Sequence, residues 1–283
     1  MRVVVLAVCA IVAGLAAGIP PQVSLQEHRS SPQDLEVSGD VPGIPAGATR
    51  YLSYAELSQL PQVTYTVRGD DNFPQPARLT GVSLDVLLQA LNVPNSGKQL
   101  IAAIGSDGYN GHYTAEYRAE HHPFLVLQIE GKPPTQWPKA TDGVSYRPYL
   151  ISQPNFVPAF HVLAHADQPQ IPYGVTGLRF YDEDAVFAAL RPKGVPPHSP
   201  ALLAERIVVQ NCLRCHNAGM IGGTKSPFGF PQLAMIAKGN PEAFGKYVKR
   251  PNSVNPEATM PPNPEYDAAT IAALTAYFQS MAK

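Results

Sequence analysis

The sequence predicts two domains, an α+β unit followed by an all-α unit. Three observations carry that expectation. The chain has 283 residues, and at about 150 residues per domain two units are the first guess. Segments rich in β-branched and aromatic residues alternate with helical spacing up to about residue 190, and only helical spacing follows. Between them lies Arg191-Pro192-Lys193-Gly194-Val195-Pro196-Pro197-His198-Ser199-Pro200, whose four prolines exclude a regular helix or a central strand. It reads as a stiff, extended linker over 191–200.

The elements are expected in this order. Arg2 precedes an apolar run over 3–17 that closes on small residues, the pattern of a secretory signal over 1–18. The run falls short of the roughly 20 residues that span a bilayer. Cys9 lies within it, but Val8 is too bulky for a lipoprotein signal. Residues 19–45 are rich in Pro, Ser, Gly and Gln without period and predict a flexible leader. Within 46–190, strands are expected at 63–67, 99–104, 124–129 and 175–181. Ser83 caps a helix bearing Leu84, Leu87, Leu88 and Leu91, and a short helix covers 184–190. Glu130-Gly131-Lys132 predicts a turn. In 201–283 a helix opens with Leu202, Leu203 and Ile207, and another closes with Ile271, Leu274, Tyr277, Phe278 and Met281.

Composition excludes several functions. Lys plus Arg is 21 and Asp plus Glu is 22, so the basic surplus of a nucleic-acid binder is missing. Hydrophobic residues make up 45%, enough for cores and against wholesale disorder. Past the signal only Cys212 and Cys215 remain, so a disulfide scaffold is excluded. No further segment is apolar and long enough to span a membrane, so export to the periplasm without a stable membrane span is expected.

Cys212-Leu213-Arg214-Cys215-His216 is the C-x-x-C-H pattern of covalent haem attachment. Two thiols on one turn can form thioethers with the two vinyl groups of one haem. His216, next in line, offers an imidazole to the iron from the same side. A bare C-x-x-C also serves as a redox dithiol or half a zinc site. Zinc would need two more ligands, which His198 alone cannot supply, and a redox dithiol would follow a strand rather than a helix. On the other haem face a sulfur or nitrogen is needed. Met260, in Thr259-Met260-Pro261-Pro262-Asn263, lies far enough along to pass around the haem edge on a prolyl loop. Met220 is too near His216, and Met235 and Met281 are spaced as packing residues. A histidine in place of Met260, or an open distal site suited to a sensor, is the other possibility. Basic residues outnumber acidic ones eight to five in this unit, which suits an acidic redox partner or simply a solvated surface.

These motifs resemble a class I, single-haem bacterial cytochrome c. The resemblance rests on the leading helix, Asn211 to His216, Gly219, Gly222-Gly223, Pro231-Gln232-Leu233, Met260-Pro261-Pro262 and the closing helix. It implies crossing first and last helices and one haem c bound through Cys212 and Cys215. It also implies His216 and Met260 as axial iron ligands, a proline carbonyl (Pro227 or Pro231) holding the His216 ring N–H, and electron transfer with periplasmic redox proteins as partners.

In the first unit, four phrases occur in order. They are Arg78-Leu79-Thr80-Gly81-Val82-Ser83-Leu84, Ser106-Asp107-Gly108-Tyr109, Gln128-Ile129-Glu130-Gly131-Lys132-Pro133 and Tyr146-Arg147-Pro148-Tyr149-Leu150-Ile151. Together they resemble the molybdopterin-binding domain of the sulfite oxidase family, which implies an α+β fold. That family holds molybdenum with a cysteine thiolate, and 46–190 contains no cysteine. A degenerate relative that docks a partner, without molybdopterin, is expected. The alternative is a pterin-dependent oxidoreductase passing electrons to the attached haem. His112, His121, His122, His161 and His165 are the unit's histidines. His161 and His165 share i, i+4 spacing, but Pro158 and Pro169 leave little room for a helix, and His121-His122 before Pro123 reads as loop. Asp107-Gly108-Tyr109-Asn110-Gly111 is Gly-rich without a phosphate-loop lysine and reads as a plain turn, and the tyrosines Tyr109, Tyr113, Tyr117, Tyr146 and Tyr149 as packing.

Overall fold

The computed structural model describes residues 22–94, 98–139, 143 and 145–282. The expected signal at 1–18 lies outside them. No helix among the described residues is long and apolar enough to cross a membrane.

The first unit is α+β, as expected. Its elements are β1 (Leu35–Gly39), β2 (Thr49–Leu52), α1 (Tyr54–Gln59), β3 (Val63–Val67), β4 (Ala77–Ser83), α2 (Leu84–Ala90), β5 (Gln99–Gly105), β6 (Asn110–Tyr113), α3 (Ala115–His121), β7 (Phe124–Ile129), β8 (Tyr149–Ser152), β9 (His161–Val162), β10 (His165–Ala166), β11 (Tyr173–Asp182) and α4 (Glu183–Leu190). The larger sheet runs β2-β1-β11-β8-β7-β4-β3, with β5 on the other side of β11 and β6 beside β5. Every pairing is antiparallel except β1 with β11.

β3, α2 and β7 form where the sequence placed them, and the Ser83 hydroxyl accepts from the Val86 N–H at 3.2 Å. Glu130 and Gly131 both take positive φ in the turn after β7. The expected leader is corrected from Leu35 onward. β1 lies between β2 and β11, with Leu35 and Val37 fully buried, because the long strand β11 needs a neighbour along its second half. His121 is also corrected. It ends α3, and His122 caps that helix in the left-handed conformation. His161 and His165 sit in the β9–β10 pair, one exposed and one buried.

The second unit contains α5 (Pro200–Asn211), the short pair β12 (Asn217–Ala218) and β13 (Ile221–Gly222), α6 (Phe230–Gly239), α7 (Pro241–Lys249) and α8 (Ala268–Met281). It is helical apart from that two-stranded ribbon, a small departure from the all-α expectation. Ala204, Ile207 and Val208 of α5 share one core with Leu274, Tyr277 and Phe278 of α8.

β5 explains how the units fit together. Its residues alternate between two cores because successive side chains point to opposite faces of a sheet. Ile101 and Ala103 belong to the core under α2, whereas Leu100 and Ala102 belong to the core of the helical unit. Val186 and Leu190 of α4 join the second core. The prolyl segment 191–200 therefore does not act as a spacer. Pro192 is buried, the Tyr277 hydroxyl donates to Leu190 O at 2.6 Å, and Ser199 caps α5 with Pro200 as its first residue. At that position proline loses nothing, since its missing N–H would have no helical partner.

A polar layer lies between the cores. The Gln170 side chain exchanges two hydrogen bonds with the backbone of His112, and His165 Nε2 donates to Gln210 Oε1 at 2.5 Å. Burial, reinforced for His112 by the Arg214 charge, pushes the His112 imidazole down to about 3. Burial likewise pushes His165 down to about 4. Both folded values lie below the ordinary 6.5, so below that pH the unfolded chain takes up more protons. Stability is expected in full above about pH 6.5 and to fall as acid is added, His165's share down to about 4 and His112's down to about 3. Denaturant midpoints measured against pH should show a shallower acid limb in His112→Leu. An unchanged limb would contradict a neutral buried imidazole.

Candidate functional site

Cys212 sits at the end of α5, where the chain tightens into a single 3-10 turn over Cys212–Arg214. Both the Cys215 N–H (3.3 Å) and the His216 N–H (2.9 Å) donate to Cys212 O. The two thiols and the imidazole thus leave one compact turn. Burial pushes the Cys212 thiol up to about 12 and raises Cys215 as well. The site therefore favours uncharged sulfur, and a thioether, which carries no charge, meets no such penalty.

His216 is half-buried, and burial lowers its pKa, which keeps the ring neutral. Its Nδ1–H donates to Phe228 O at 2.6 Å. This corrects the expected proline carbonyl: the acceptor lies between Pro227 and Pro231 and belongs to neither. The reason is local. The Ser226 N–H donates to Cys215 O at 3.0 Å, and the Ser226 hydroxyl accepts from Phe228 N at 3.2 Å, which sets the Phe228 carbonyl over the ring. With Nδ1 as donor, the tautomer leaves the Nε2 lone pair for a metal.

Met260 is half-buried in the irregular segment before α8. That segment is tied at two points. The Asn263 side chain donates to Val248 O at 2.9 Å, and Asn211 Nδ2 donates to the Tyr266 hydroxyl at 2.7 Å. Asn211 immediately precedes Cys212, so the methionine loop is pinned to the cysteine turn. Of the other methionines, Met281 packs as its spacing predicts and Met235 does not. Met220 is 82% exposed and Met235 63% exposed, while Met281 packs half-buried against the core.

The donor set suits a haem. Two neutralised thiols, an oriented imidazole and a thioether are what a c-type haem requires. Of the large hydrophobic residues exposed among the described residues, all but Val157 lie in 201–283, Phe228 and Val254 among them. A molybdenum centre does not suit the first unit, which lacks a thiolate. Among the described residues no three His, Cys, Asp or Glu side chains group to hold a metal ion.

The turn between β5 and β6 docks on this site. Gly108 O accepts from the N–H groups of Thr224 (2.8 Å) and Lys225 (3.1 Å), and Lys225 Nζ pairs with Asp107 at 2.7 Å. Asn110 Nδ2 donates to Gly222 O at 3.0 Å. Gly222 has φ +97°, and a Cβ there would meet His216 O at 2.4 Å. At Gly223 a Cβ would lie 2.2 Å from Arg214 O and 2.5 Å from Gly108 O, so only glycine admits both backbones. The sequence marked 107–111 as a turn, of which Asn110 and Gly111 instead open β6 to pair with β5, and it gave no sign that this stretch would touch the cysteine motif.

No family model matches the chain, and no curated protein matches it. Solved structures do match. The chain is similar to a sulfane dehydrogenase. That protein, SoxCD from Paracoccus pantotrophus, aligns at 18% identity with a TM-score of 0.35, over 55% of this chain and 40% of the other. The chain thus spans less than half of that structure's length.

Proposed function

We propose that this protein is an exported, periplasmic c-type cytochrome that carries electrons through one covalently bound haem. Cys212 and Cys215 would form the thioethers, and His216 and Met260 would ligate the iron. When bound, the haem supplies a one-electron ferric–ferrous couple. The observation that carries this reading is the Cys212–His216 turn, with the His216 ring fixed through Phe228 O so that Nε2 is free. The α+β unit holds the segment after the haem motif through Gly108 and serves as a docking module for redox partners. The resemblance of its sequence phrases to sulfite oxidase-like domains supports a degenerate cofactor fold.

Burial raises both thiols, so the turn favours uncharged sulfur, and the thioethers of an attached haem carry no charge. Protein exported in a host with haem-attachment machinery is expected to keep peroxidase-type staining on a denaturing gel and to gain the mass of one haem. Cys212→Ala with Cys215→Ala should abolish both. Wild-type protein without stain or added mass would refute the proposal.

A further inference from the structure

The hydrogen bond that orients His216 is held in part by the other unit. The His216 Nδ1–H donates to Phe228 O, and Phe228 is placed by Ser226, whose hydroxyl accepts from its N–H and whose own N–H donates to Cys215 O. The chain reaches Ser226 through Gly222-Gly223-Thr224-Lys225. Two consecutive glycines give that stretch little stiffness of its own, so what it touches decides where it lies.

The first unit touches it along its length. Asn110 Nδ2 donates to Gly222 O at 3.0 Å. Gly108 O accepts from the N–H groups of Thr224 and Lys225, at 2.8 and 3.1 Å. Asp107 pairs through one oxygen with Lys225 Nζ at 2.7 Å, while its other oxygen accepts from the Tyr109 N–H at 2.9 Å, which ties the lysine to the fold of the turn itself. Gly108 has φ +83°, and a Cβ there would lie 2.7 Å from Lys225 N and 2.9 Å from Thr224 C. The two backbones are therefore in contact, and Lys225 is bonded directly to Ser226.

We propose that the turn between β5 and β6 is a clamp on the axial imidazole, with Gly108 and Asn110 as positioning residues that act on His216 through residues 222–228. This role rests on the haem assignment and gives the first unit a part in the redox centre beyond docking. A well-aligned bond from Nδ1–H makes the ring a stronger electron donor through Nε2, and a stronger donor favours ferric iron. The clamp thus holds the reduction potential below the value that a loose segment would give.

Two substitutions that leave the net charge unchanged test it on the haem-loaded full chain. Gly108→Ala puts a methyl group against Lys225 N, and Asn110→Leu removes the donor to Gly222 O. Hydrogen exchange reads the clamp without the iron: the Thr224 and Lys225 amides should exchange faster in Gly108→Ala, and the Ser226 amide with them. In both variants the reduction potential should rise. The ratio of ferrous to ferric protein at a fixed poise should increase about threefold or more, or about 28 mV for a one-electron couple. Glu27→Gln is the control. It breaks the exposed Glu27–Arg50 pair at β2, three strands from β5, and should leave the potential unchanged. Asn110→Leu decides the matter if Gly108→Ala fails to fold. Haem-loaded variants whose potential stays or falls, or a Glu27→Gln shift as large as theirs, would overturn the clamp and leave the cytochrome assignment standing. A wild-type chain that takes up no haem would overturn both.

Discussion

Replacing Phe278 by Ala is expected to unfold both units at a lower denaturant concentration, not the helical one alone. Phe278 is 2% exposed, and its ring lies 5.2 to 5.5 Å from those of Phe230, Tyr277 and Phe244. Deleting such a side chain costs about 3–5 kcal/mol, the transfer term plus the cavity left behind. The reach of that loss follows from β5. Leu100 and Ala102 share Phe278's core, while their neighbours Ile101 and Ala103 hold the core of the first unit. One strand thus carries both cores, and loosening one face should loosen the other.

Trp137 makes the test direct. It is the only tryptophan, sits in the cluster built by β4, β7 and β8, and donates from Nε1 to Lys132 O at 2.8 Å. Its fluorescence reports the first unit, and helical circular dichroism is weighted toward the second. The two signals should change together in the wild type and shift together in Phe278→Ala. Two separate transitions, with Trp137 unmoved by the substitution, would show that the prolyl segment isolates the units after all.

What the sequence made legible follows the range of the forces involved. Local signals were sufficient for β3, with its Val-Thr-Tyr-Thr-Val run, and for α2, with its Ser83 cap. The cysteine turn stood out because Cys212, Cys215 and His216 lie within five residues. β1 was not, since a strand of Leu-Glu-Val-Ser-Gly owes its form to pairing with a partner more than a hundred residues away. α3 was missed because Ala-Glu-Tyr-Arg-Ala-Glu-His is mostly polar, and its buried Arg118 is held by Asp85 and by the carbonyls of Gln99 and Tyr113. The acceptor for His216 was hidden for another reason. It is a backbone carbonyl, which any residue type can supply, so the identity of Phe228 carried no signal. The uninterrupted apolar run of β5 did hold a clue. A strand buried on both faces needs two covers, and the first unit alone provides one.

The largest spectroscopic effect should come from Met260→Ala. In the proposed haem protein the thioether is a soft donor that favours ferrous iron. Its loss should remove the weak far-red absorption band of a ferric methionine–iron bond, lower the reduction potential and open the distal face to carbon monoxide. Met260→His should close that face again but leave the potential low, because imidazole favours ferric iron more than a thioether does. Met220→Ala and Met235→Ala serve as controls, since both side chains are exposed and neither segment, the turn at Met220 or α6 at Met235, shares Met260's ties to Val248 and Asn211. The anchors give an independent reading. Tyr266→Phe removes the hydroxyl that accepts from Asn211 and leaves the ring, so it should weaken the far-red band without abolishing it. A band that survives Met260→Ala, or disappears in Met235→Ala, would place the sixth ligand elsewhere. Loss of the band in Met260→Ala together with its weakening in Tyr266→Phe would mean that the methionine reaches the iron because its loop is fastened to the residue next to the first cysteine.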